Sequence, residues 1–525
     1  MIRDLLQTAE DAHVEADVVV VGAGIAGLIM ADRLRKDGLK VAILESGSER
    51  QVDERHELNR VEIAGDPYAG AEDGRFRCLG GTSTRWGGAM LPFLPVDMQS
   101  HSAGWDARWP VEFEEVQPYQ DELNALFALP SGPFDRPDLY PASEGGVRFL
   151  PRLAAWPAFG RRNVATLLRD RLTKDQGLEV WLNAHVTGST LSPAGRVERI
   201  VATAPDGRKL TARAAHFVVA AGAIESTRLL LLLDRANDER LFAPAAVLGR
   251  YFHDHLSAHS ASLEVRDRKL LGDLAGFRFE TNGMRNLRFE PAEETRIQRR
   301  LPGGFTHIVF ASLERDGFEA LRDIYRGLQR RRLPSGGDVG LLARNLPWFA
   351  RAAWKRFVGR QLLLPDRADF KLNVIVEQHP HRDNRITLSS ERIDRHGLPL
   401  ARIEWQVRAD DIDNHRRMFA LFGEYWQKAH LTRAAALEAR DPELVAEELR
   451  TGGGTYHPGG TTRMSASPGE GVVDPMLRAH AVPNLSVVST SAFPTGGAAN
   501  PTYMLMLFAL RSAAALAADL GRGTR

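Results

Sequence analysis

Residues 17–45, DVVVVGAGIAGLIMADRLRKDGLKVAILE, decide the fold. The run Val18–Val21 is continuously apolar, as expected of a parallel strand buried on both faces. The motif GAGIAG at 22–27 follows it, and an amphipathic helix is predicted from about 28 to 36 before a second strand that ends in Glu45. This order of strand, GxGxxG, helix, strand and acidic residue predicts a dinucleotide-binding βαβ unit.

The positions within this unit have separate expected roles. Gly22 makes a tight turn, Gly24 lets a pyrophosphate approach the helix N-terminus, and Gly27 permits close packing of helix and strand. Glu45 can accept a hydrogen bond from a ribose hydroxyl. NAD and FAD both fit this arrangement. The predicted nucleotide contacts also include Ile25, Ala26 and Ser46.

Two further glycine-rich regions predict where the rest of the cofactor lies. Residues 78–88, CLGGTSTRWGG, can present backbone N–H groups to a polar ring edge or to phosphates, with a surface turn as the alternative. The segments 452–464, GGGTYHPGGTTRM, and 484–504, NLSVVSTSAFPTGGAANPTYM, contain a lone His457 and a lone Asn500. The short apolar run between them predicts a buried strand that brings the two bends together. We therefore expect both side chains on one face of the bound cofactor.

The composition is that of an ordinary globular protein. At 525 residues, with 43% hydrophobic and 26% charged residues, two joined domains are expected. A net charge of +1 demands neither nucleic acid nor an acidic partner. Cys78 is the only cysteine, which excludes intrachain disulfides and cysteine-cluster metal sites. Because the sequence shows neither a secretory signal nor an apolar run of about 18 residues, a cytoplasmic enzyme is expected.

Five blocks of the sequence resemble one family, and they occur in the family's order. They are VVVGAGIAGLIMADRL, LGGTSTRWGG, VVAAGAIESTRLLLLL, LGRYFHDH and the region 452–510. In these blocks the chain is similar to the glucose–methanol–choline (GMC) flavin oxidoreductases. Within that family, STRWGG and AFPTGGAANPT are most similar to the pyranose oxidase and bacterial glycoside 3-oxidase branch. The resemblance implies that the nucleotide is FAD.

The expected fold class is mixed α/β (α+β), with two domains that are discontinuous in sequence. A Rossmann-like FAD-binding domain is expected from 1–104, 180–260 and 452–525, and a substrate-binding domain on a mostly antiparallel sheet from 105–179 and 261–451. In the FAD-binding domain, strands are predicted at 179–188, on both sides of the turn 205–207, and at 216–222 before a helix 223–233. A meander that roofs the flavin is predicted at 371–378, 384–388 and 401–405.

Two departures from the family pattern bear on the flavin. Arg85 stands where fungal pyranose oxidases have a histidine that bonds covalently to FAD, so FAD is predicted to bind non-covalently. Ser489 and Thr490 stand where many members have an aspartate, so contacts near the diphosphate or ribityl chain are expected to differ. In the family, the residue matching Val186 contacts the adenine through its backbone. The other predicted FAD contacts are Trp86, Gly87, Gly88, Ala221, Gly222, Ser491, Pro501 and Thr502.

Oxidation of an alcohol requires a base, because hydride leaves the carbinol carbon as the hydroxyl loses its proton. His457 is the predicted base, and neutral Asn500 is predicted to bond the same oxygen without placing negative charge beside the developing alkoxide. The resembled family has a His–His or His–Asn pair at these positions and passes the hydride to flavin N5. His480 is the rival histidine, for which the family suggests a structural role. His253 and His255 lack a third ligand at useful spacing, so no metal is predicted.

The expected substrate is a secondary ring hydroxyl, at C2 or C3, of a pyranose sugar or glycoside. Gln378 and His379 are predicted substrate contacts, with solvated strand-end residues as the alternative. Oxygen and a quinone or cellular carrier are both open as electron acceptors. The alternatives are a non-sugar alcohol, or a lyase on the flavin scaffold without net redox change. An NAD-dependent dehydrogenase leaves the region 452–502 unexplained, and a non-catalytic binding protein leaves the paired histidine and asparagine unexplained.

Residues 320–360 form a basic segment, with ten basic residues against two acidic ones and interleaved aromatic side chains. Segments of this kind pack on their own domain or at a subunit contact, or they lie on an anionic membrane surface. We expect a helical excursion packed on its own domain or at a subunit contact, with peripheral membrane binding as the alternative.

Overall fold

The computed structural model describes most of the chain. The described residues are 1–99, 102–141, 146–244, 246–313, 317–329, 333, 336–337, 340 and 344–521. They form three β-sheets with helices on their faces. This is the mixed α/β architecture with a Rossmann-like sheet that the sequence predicts.

The first sheet is the nucleotide-binding sheet. Its strand order is β1-β6-β3-β2-β9-β8-β7, and β18 pairs with β9. Strands β1, β6, β3, β2, β9 and β18 run parallel, while β8 and β7 form antiparallel pairs at one side. These strands are β1 Ile2–Asp4, β2 Ala12–Val21, β3 Val41–Leu44, β6 Leu178–Leu182, β7 His185–Leu191, β8 Val197–Thr203, β9 Lys209–Val219 and β18 Leu485–Val487.

The centre of this sheet is apolar on both faces, which is why the run at 18–21 lacks alternation. Val18, Val19 and Val20 are fully buried. Helix α1, Ile25–Lys36, covers one face and packs against α14, Thr502–Asp519. The expectation that the chain has no apolar run of about 18 residues is wrong, because α14 is, among the described residues, the one helix long and apolar enough to cross a membrane. Because two-thirds of it is buried inside the protein, it is a core helix here.

The second sheet carries the other domain. All its strand pairs are antiparallel, in the order β11-β12-β13-β14-β10-β17, with β5 also paired to β12. Alternate side chains such as Leu287 and Phe289 join the hydrophobic core that includes α12, Ala409–Lys428. The strands are β5 Phe149–Pro157, β10 His255–Val265, β11 Arg278–Glu280, β12 Gly283–Pro291, β13 Gly304–Ser312, β14 Ala368–Glu377 and β17 Ala435–Ala439.

The predicted meander over the flavin is wrong in part. Its first strand, β14, lies in the second sheet, but β15 Arg385–Ile393 and β16 Pro399–Trp405 pair with β4 Val61–Gly65 in a separate three-stranded sheet. β16 runs parallel to β4, a pairing between segments more than 300 positions apart that local sequence patterns do not reveal. The indole of Trp405 fixes this sheet by packing edge-on against Tyr68.

The predicted strand 179–188 is two strands. Asn183 adopts φ 55°, a left-handed conformation that asparagine tolerates, and its side chain donates to Asp4 Oδ1 at 2.8 Å. The chain therefore turns from β6 into β7. The hairpin at 205–207, the parallel strand before helix α7 Ala223–Arg235 and the short strand β18 are confirmed. The domain boundaries stay a prediction.

The basic segment is described in part, and much of 330–343 lies outside the described residues. Its α11 helix, Leu346–Phe357, buries Trp348 beside Phe318 but exposes Trp354 and Phe357. Whether it meets a membrane or a subunit stays a prediction. The remaining α-helices are α2 Asp53–His56, α3 Phe113–Val116, α4 Gln120–Phe127, α5 Val164–Leu167, α6 Arg169–Lys174, α8 Arg268–Ala275, α9 Glu293–Arg299, α10 Gly317–Gln329 and α13 Pro442–Thr451.

Candidate active site

A deep cavity runs from the turn after β2 to the loops around β18. Its empty volume is about 1180 Å³. The N-terminal fingerprint lines one end and the two C-terminal bends line the other. The predicted site residues in its wall are Gly22, Gly24, Ile25, Ala26, Glu45, Ser46, Ala221, Gly222, His457, Pro501 and Thr502.

The glycines of the fingerprint fit a dinucleotide. Gly22 has φ +103°, and a Cβ there would lie 2.6 Å from the Ala220 carbonyl oxygen. A Cβ on Gly27 would lie 2.1 Å from the Gly22 oxygen, so helix and turn touch. At Gly24 nothing lies within 4 Å, which leaves the N-terminus of α1 open to a phosphate. The residues present therefore fit the pyrophosphate of FAD.

Glu45 and Val186 lie where the adenosine half of a dinucleotide is expected. Glu45 accepts from the backbone N–H of Ala23 and of Gly47, both at 2.8 Å, and burial raises its pKa. Val186 lines an adjoining small pocket with Ser46. The ribose and adenine contacts themselves stay a prediction.

The cavity wall contains an ion pair, Arg77 with Glu225, that the sequence did not predict. Arg77 donates to Glu225 at 2.9 Å and to Ser46 Oγ at 3.0 Å. Burial acts to raise the pKa of Glu225, but Arg77 and Arg228 outweigh it and hold that pKa at about 2. Arg77 directly precedes the glycine-rich loop 78–88, and this position was the available signal for a phosphate contact.

Seven predicted FAD contacts do not line this cavity: Gly27 packs against the turn at Gly22, Val186 lines the adjoining pocket, and the other five lie in two loops. From the loop 78–88, Gly81 and Thr82 line the cavity. From the loop after β18, Ser489 and Thr490 line it in place of the predicted Ser491. The indole of Trp86 instead donates to the Arg162 carbonyl at 2.8 Å, which anchors the loop. The five contacts are Arg85, Trp86, Gly87, Gly88 and Ser491.

The structure brings Asn500 into contact with His457, which lines the cavity. His457 Nε2 and Asn500 Nδ2 are 3.1 Å apart. Arg288 Nη1 lies 2.9 Å from Asn500 Oδ1, and because a guanidinium can only donate, this contact fixes the orientation of the amide. The Asn500 N–H therefore donates to an unprotonated His457 Nε2.

The other nitrogen of His457 continues the same chain of hydrogen bonds. Nδ1 lies 3.0 Å from Thr455 Oγ1, and Thr455 Oγ1 lies 3.2 Å from Asp254 Oδ1. A carboxylate can only accept, so Thr455 donates to Asp254 and Nδ1–H donates to Thr455. The network assigns the Nδ1–H tautomer, which presents the Nε2 lone pair towards Asn500.

Asp254 was not predicted, although it stands in the quoted block LGRYFHDH. Its fully buried carboxylate accepts from the backbone N–H of Thr455 and of His457, and also from the hydroxyl of Tyr68. Burial raises its pKa, while the Tyr68 hydrogen bond opposes this. Asp254 thus links the segment that carries Thr455 and His457 to the start of β10 and to Tyr68, which packs on the three-stranded sheet.

Burial holds the pKa of His457 well below 6.5, with smaller contributions from His255 and the Arg288 cation. The two imidazoles meet edge to face at 5.2 Å, and His255 Nε2 lies 2.8 Å from the Gly497 oxygen. His457 is consequently neutral at physiological pH, which is the form a general base requires.

The remaining candidate side chains from the sequence do not contact His457 or Asn500. His480 Nε2 contacts the Ser465 carbonyl at 3.2 Å, and His253 Nδ1 contacts the Tyr251 carbonyl at 2.9 Å. Gln378 is fully buried and accepts from the Trp405 indole at 2.7 Å. His379 stacks on Trp105 beside Asp410 at the surface. Neither Gln378 nor His379 lines the cofactor cavity, so their placement gives no support to substrate contact.

A dinucleotide cavity lined by an imidazole that contacts a carboxamide defines an FAD-dependent oxidoreductase acting on CH–OH groups. A model of the FAD binding domain matches residues 17–267, and the GMC oxidoreductase model matches residues 380–509. The chain therefore carries an FAD-binding domain and a GMC oxidoreductase domain, and it is similar to the glucose–methanol–choline family in the sequence blocks quoted above.

Relatives and solved structures agree with this assignment. Paromamine 6'-oxidase from Streptomyces fradiae is 27% identical over 99% of this chain and 94% of its own length. 2-Methyl-1,2-propanediol dehydrogenase from Mycolicibacterium austroafricanum is 24% identical over 95% of this chain and 94% of its own. The fold matches that of pyridoxine 4-oxidase from Mesorbium loti with a TM-score of 0.58 at 17% identity, covering 97% of this chain and 100% of that one.

Proposed function

We propose that this protein oxidises a secondary ring hydroxyl, at C2 or C3, of a pyranose sugar or glycoside to the ketone, with His457 as the base. The observation that carries the proposal is the contact between Nε2 of His457, which lines the FAD cavity, and Nδ2 of Asn500. A hydroxyl oxygen seated beside both nitrogens can donate to the first and accept from the second.

The residues of the chain remove the hydroxyl proton of the substrate and balance its charge. Nε2 of neutral His457 takes the hydroxyl proton, while the Asn500 N–H stabilises the alkoxide as it forms. The imidazolium that results donates through Thr455 to the Asp254 carboxylate, which compensates its charge. FAD, when bound, supplies the acceptor for the hydride that leaves the carbinol carbon.

We infer that FAD binds without a covalent link. The inference rests on Arg85, since a guanidinium does not form the histidyl bond found at that position in fungal pyranose oxidases. Acid precipitation tests it directly. Flavin colour in the supernatant is the expected result, and colour retained in the pellet contradicts it.

A sugar substrate is favoured by the name of the paromamine 6'-oxidase relative and by the STRWGG and AFPTGGAANPT resemblance. The dehydrogenase of 2-methyl-1,2-propanediol supports the second candidate, a non-sugar alcohol. Oxygen and a quinone or cellular carrier are both proposed as acceptors. The cytoplasm is the proposed location, which cell fractionation tests.

Anaerobic mixing with a panel of alcohols separates these candidates. The panel holds free pyranoses, glycosides, aminosugars, polyols and aromatic alcohols. Bleaching of the yellow flavin by a pyranose or glycoside, with a ketone as product, is expected. Product formation without bleaching indicates the lyase alternative. Bleaching by non-sugar alcohols alone indicates that the substrate is a non-sugar alcohol.

A further inference from the structure

Three of the buried arginines on β5, β12 and α9 differ in their partners: Arg152, Arg288 and Arg296. Two of them pair with carboxylates, Arg152 with Asp135 and Glu290, and Arg296 with Asp97 and Glu377. Arg288 forms no ion pair with any described residue, and its hydrogen-bond acceptor is the neutral amide of Asn500. The arginine nearest the catalytic pair is therefore the one without an ion-pair partner among the described residues, and the Glu290 carboxylate, two positions further along β12, acts on its charge only from beyond ion-pair distance.

The Arg288 guanidinium is held in place and remains charged. It is 3% exposed and lies 4.0 Å over the ring of Phe305. Burial lowers its pKa to about 10, so it is still a cation at neutral pH. Its Nε is buried without a hydrogen-bond partner among the described residues. A buried cation with unused donors is unfavourable unless an anion completes the site.

The strand register aims Arg288 at the active site. Its neighbours Leu287 and Phe289 point into the hydrophobic core, so Arg288 points to the opposite face, where it meets Asn500. On this face Phe305 stacks with His307, whose pKa burial and Arg288 lower to about 3. Neutral His307, and Asn373 paired with it on β14, are polar groups suited to hydroxyls.

We propose that Arg288 selects a polyhydroxylated substrate that carries a carboxylate, such as a sugar acid, and holds that carboxylate while the reacting carbinol lies at His457. One amide group and two hydrogen bonds separate Arg288 from His457. A hydroxyl at His457 and a carboxylate at Arg288 can therefore belong to one small molecule. The carboxylate accepts from the guanidinium in the strong, charge-assisted way that this pairing favours.

The charge balance of proton transfer supports an anionic substrate. When His457 accepts the proton, Asp254 compensates the imidazolium through Thr455, which leaves the nearby Arg288 guanidinium as the cation without an ion-pair partner among the described residues. A substrate carboxylate compensates this charge, whereas an ammonium group adds a third cation and raises the Coulomb repulsion. The inference rests on the proposed alcohol oxidation for its substrate, but its binding step can be measured without turnover.

Three inert probes that lack a carbinol measure the binding step on the FAD-loaded protein. They are cyclohexanecarboxylate, cyclohexanecarboxamide and aminomethylcyclohexane, titrated against the flavin absorption spectrum. We expect the carboxylate to bind at least about 30-fold more tightly than the carboxamide, as for a buried charge pair, and the amine to bind most weakly. A carboxylate preference below about threefold in the wild type overturns the proposal.

Variants assign the preference to one side chain. Arg288→Gln should bind the carboxylate and the carboxamide equally, and Arg288→Lys should keep part of the preference because it keeps the charge. Lys371→Gln, which removes a half-exposed charge from β14, should leave the preference unchanged. An undiminished preference in Arg288→Gln protein that retains FAD overturns the assignment.

Matched sugars then separate this inference from the proposed function. D-Glucuronate, D-glucose and 6-amino-6-deoxy-D-glucose differ only at C6, and the flavin should be reduced most efficiently by the first and least by the third. If none reduces the flavin while the inert carboxylate still binds through Arg288, sugar oxidation fails and the anion site stands. Equal reduction by all three overturns the anion selection and leaves sugar oxidation intact.

Discussion

The nucleotide fingerprint and the catalytic centre of this enzyme are built in opposite ways. The fingerprint is local, because one strand, one turn and one helix within 17–45 make it. The catalytic centre is assembled from four separate parts of the chain, which supply Asp254, Arg288, His457 and Asn500. The first depends on backbone shape, and the second on tertiary hydrogen bonds.

This difference implies that cofactor binding and catalysis can be separated by mutation. A change in the fingerprint should weaken FAD binding and leave the chemistry of the remaining bound FAD intact. A change in the network around His457 should do the reverse. The predictions below test that separation, from the largest expected effect to the smallest.

His457→Ala should reduce the rate of anaerobic flavin reduction by about 10²- to 10⁴-fold, the usual contribution of a general base. FAD content should not change, because the fingerprint holds the cofactor. Stopped-flow absorbance measures the rate, and His480→Ala is the control, since His480 contacts a carbonyl outside the network. An unchanged rate in His457→Ala refutes the base assignment.

Gly27→Ala should weaken FAD binding by about 10- to 100-fold, as expected from about 1–3 kcal/mol of overpacking. The added methyl would lie 2.1 Å from the Gly22 oxygen, so helix α1 must move away from the turn. Fluorescence titration of the apoprotein with FAD measures the effect. Gly423→Ala, where a Cβ meets nothing within 4 Å, is the matched control. Equal affinity in the two variants would show that the close contact has no role.

Thr455→Val should slow flavin reduction by about tenfold, because the buried Nδ1–H of His457 loses an acceptor at a cost of about 1–3 kcal/mol. The substitution keeps the shape of the side chain and removes only the hydroxyl. Thr451→Val removes a hydroxyl that bonds within helix α13 and should have no effect on the rate. If both variants reduce the flavin at the wild-type rate, Thr455 does not fix the tautomer.

The rate of flavin reduction should be almost independent of pH above 6.5. Burial lowers the pKa of His457, so its neutral, basic form is populated above that lowered value and is lost only as the pH falls through it. Between pH 6.5 and 9 we expect a change below about twofold. A limb in the wild-type profile with a pKa near 7 that is absent in His457→Ala would contradict this.

The sequence predicts the nucleotide fingerprint almost completely. Of the residues that form the catalytic centre, it predicts only His457 and Asn500. The strand at 18–21, helix α1 and Glu45 follow from periodicity and spacing. His457 and Asn500 stood out because glycines surround them in positions unsuited to a core. Asp254 and Arg288 did not, since an aspartate in an irregular loop and an arginine in a strand are ordinary features until the fold places them beside the base.

The predicted elements differ from the structure in two places. The sequence predicts β15 and β16 as part of one meander with β14, but β16 pairs with β4 across more than 300 positions. The break at Asn183 depends on a left-handed residue within an apolar strand pattern. The first difference arises from a long-range strand pairing and the second from the conformation of a single residue. Neither can be predicted from the local sequence pattern.

A crystal structure of the FAD complex tests the central claim most directly. The isoalloxazine ring should occupy the part of the cavity that His457 lines, with His457 and Asn500 on one face. Nε2 should lie within about 6 Å of flavin N5, so that one carbinol reaches both the base and the ring nitrogen. A ring whose N5 faces away from His457, or a pair separated on opposite faces, would contradict the account.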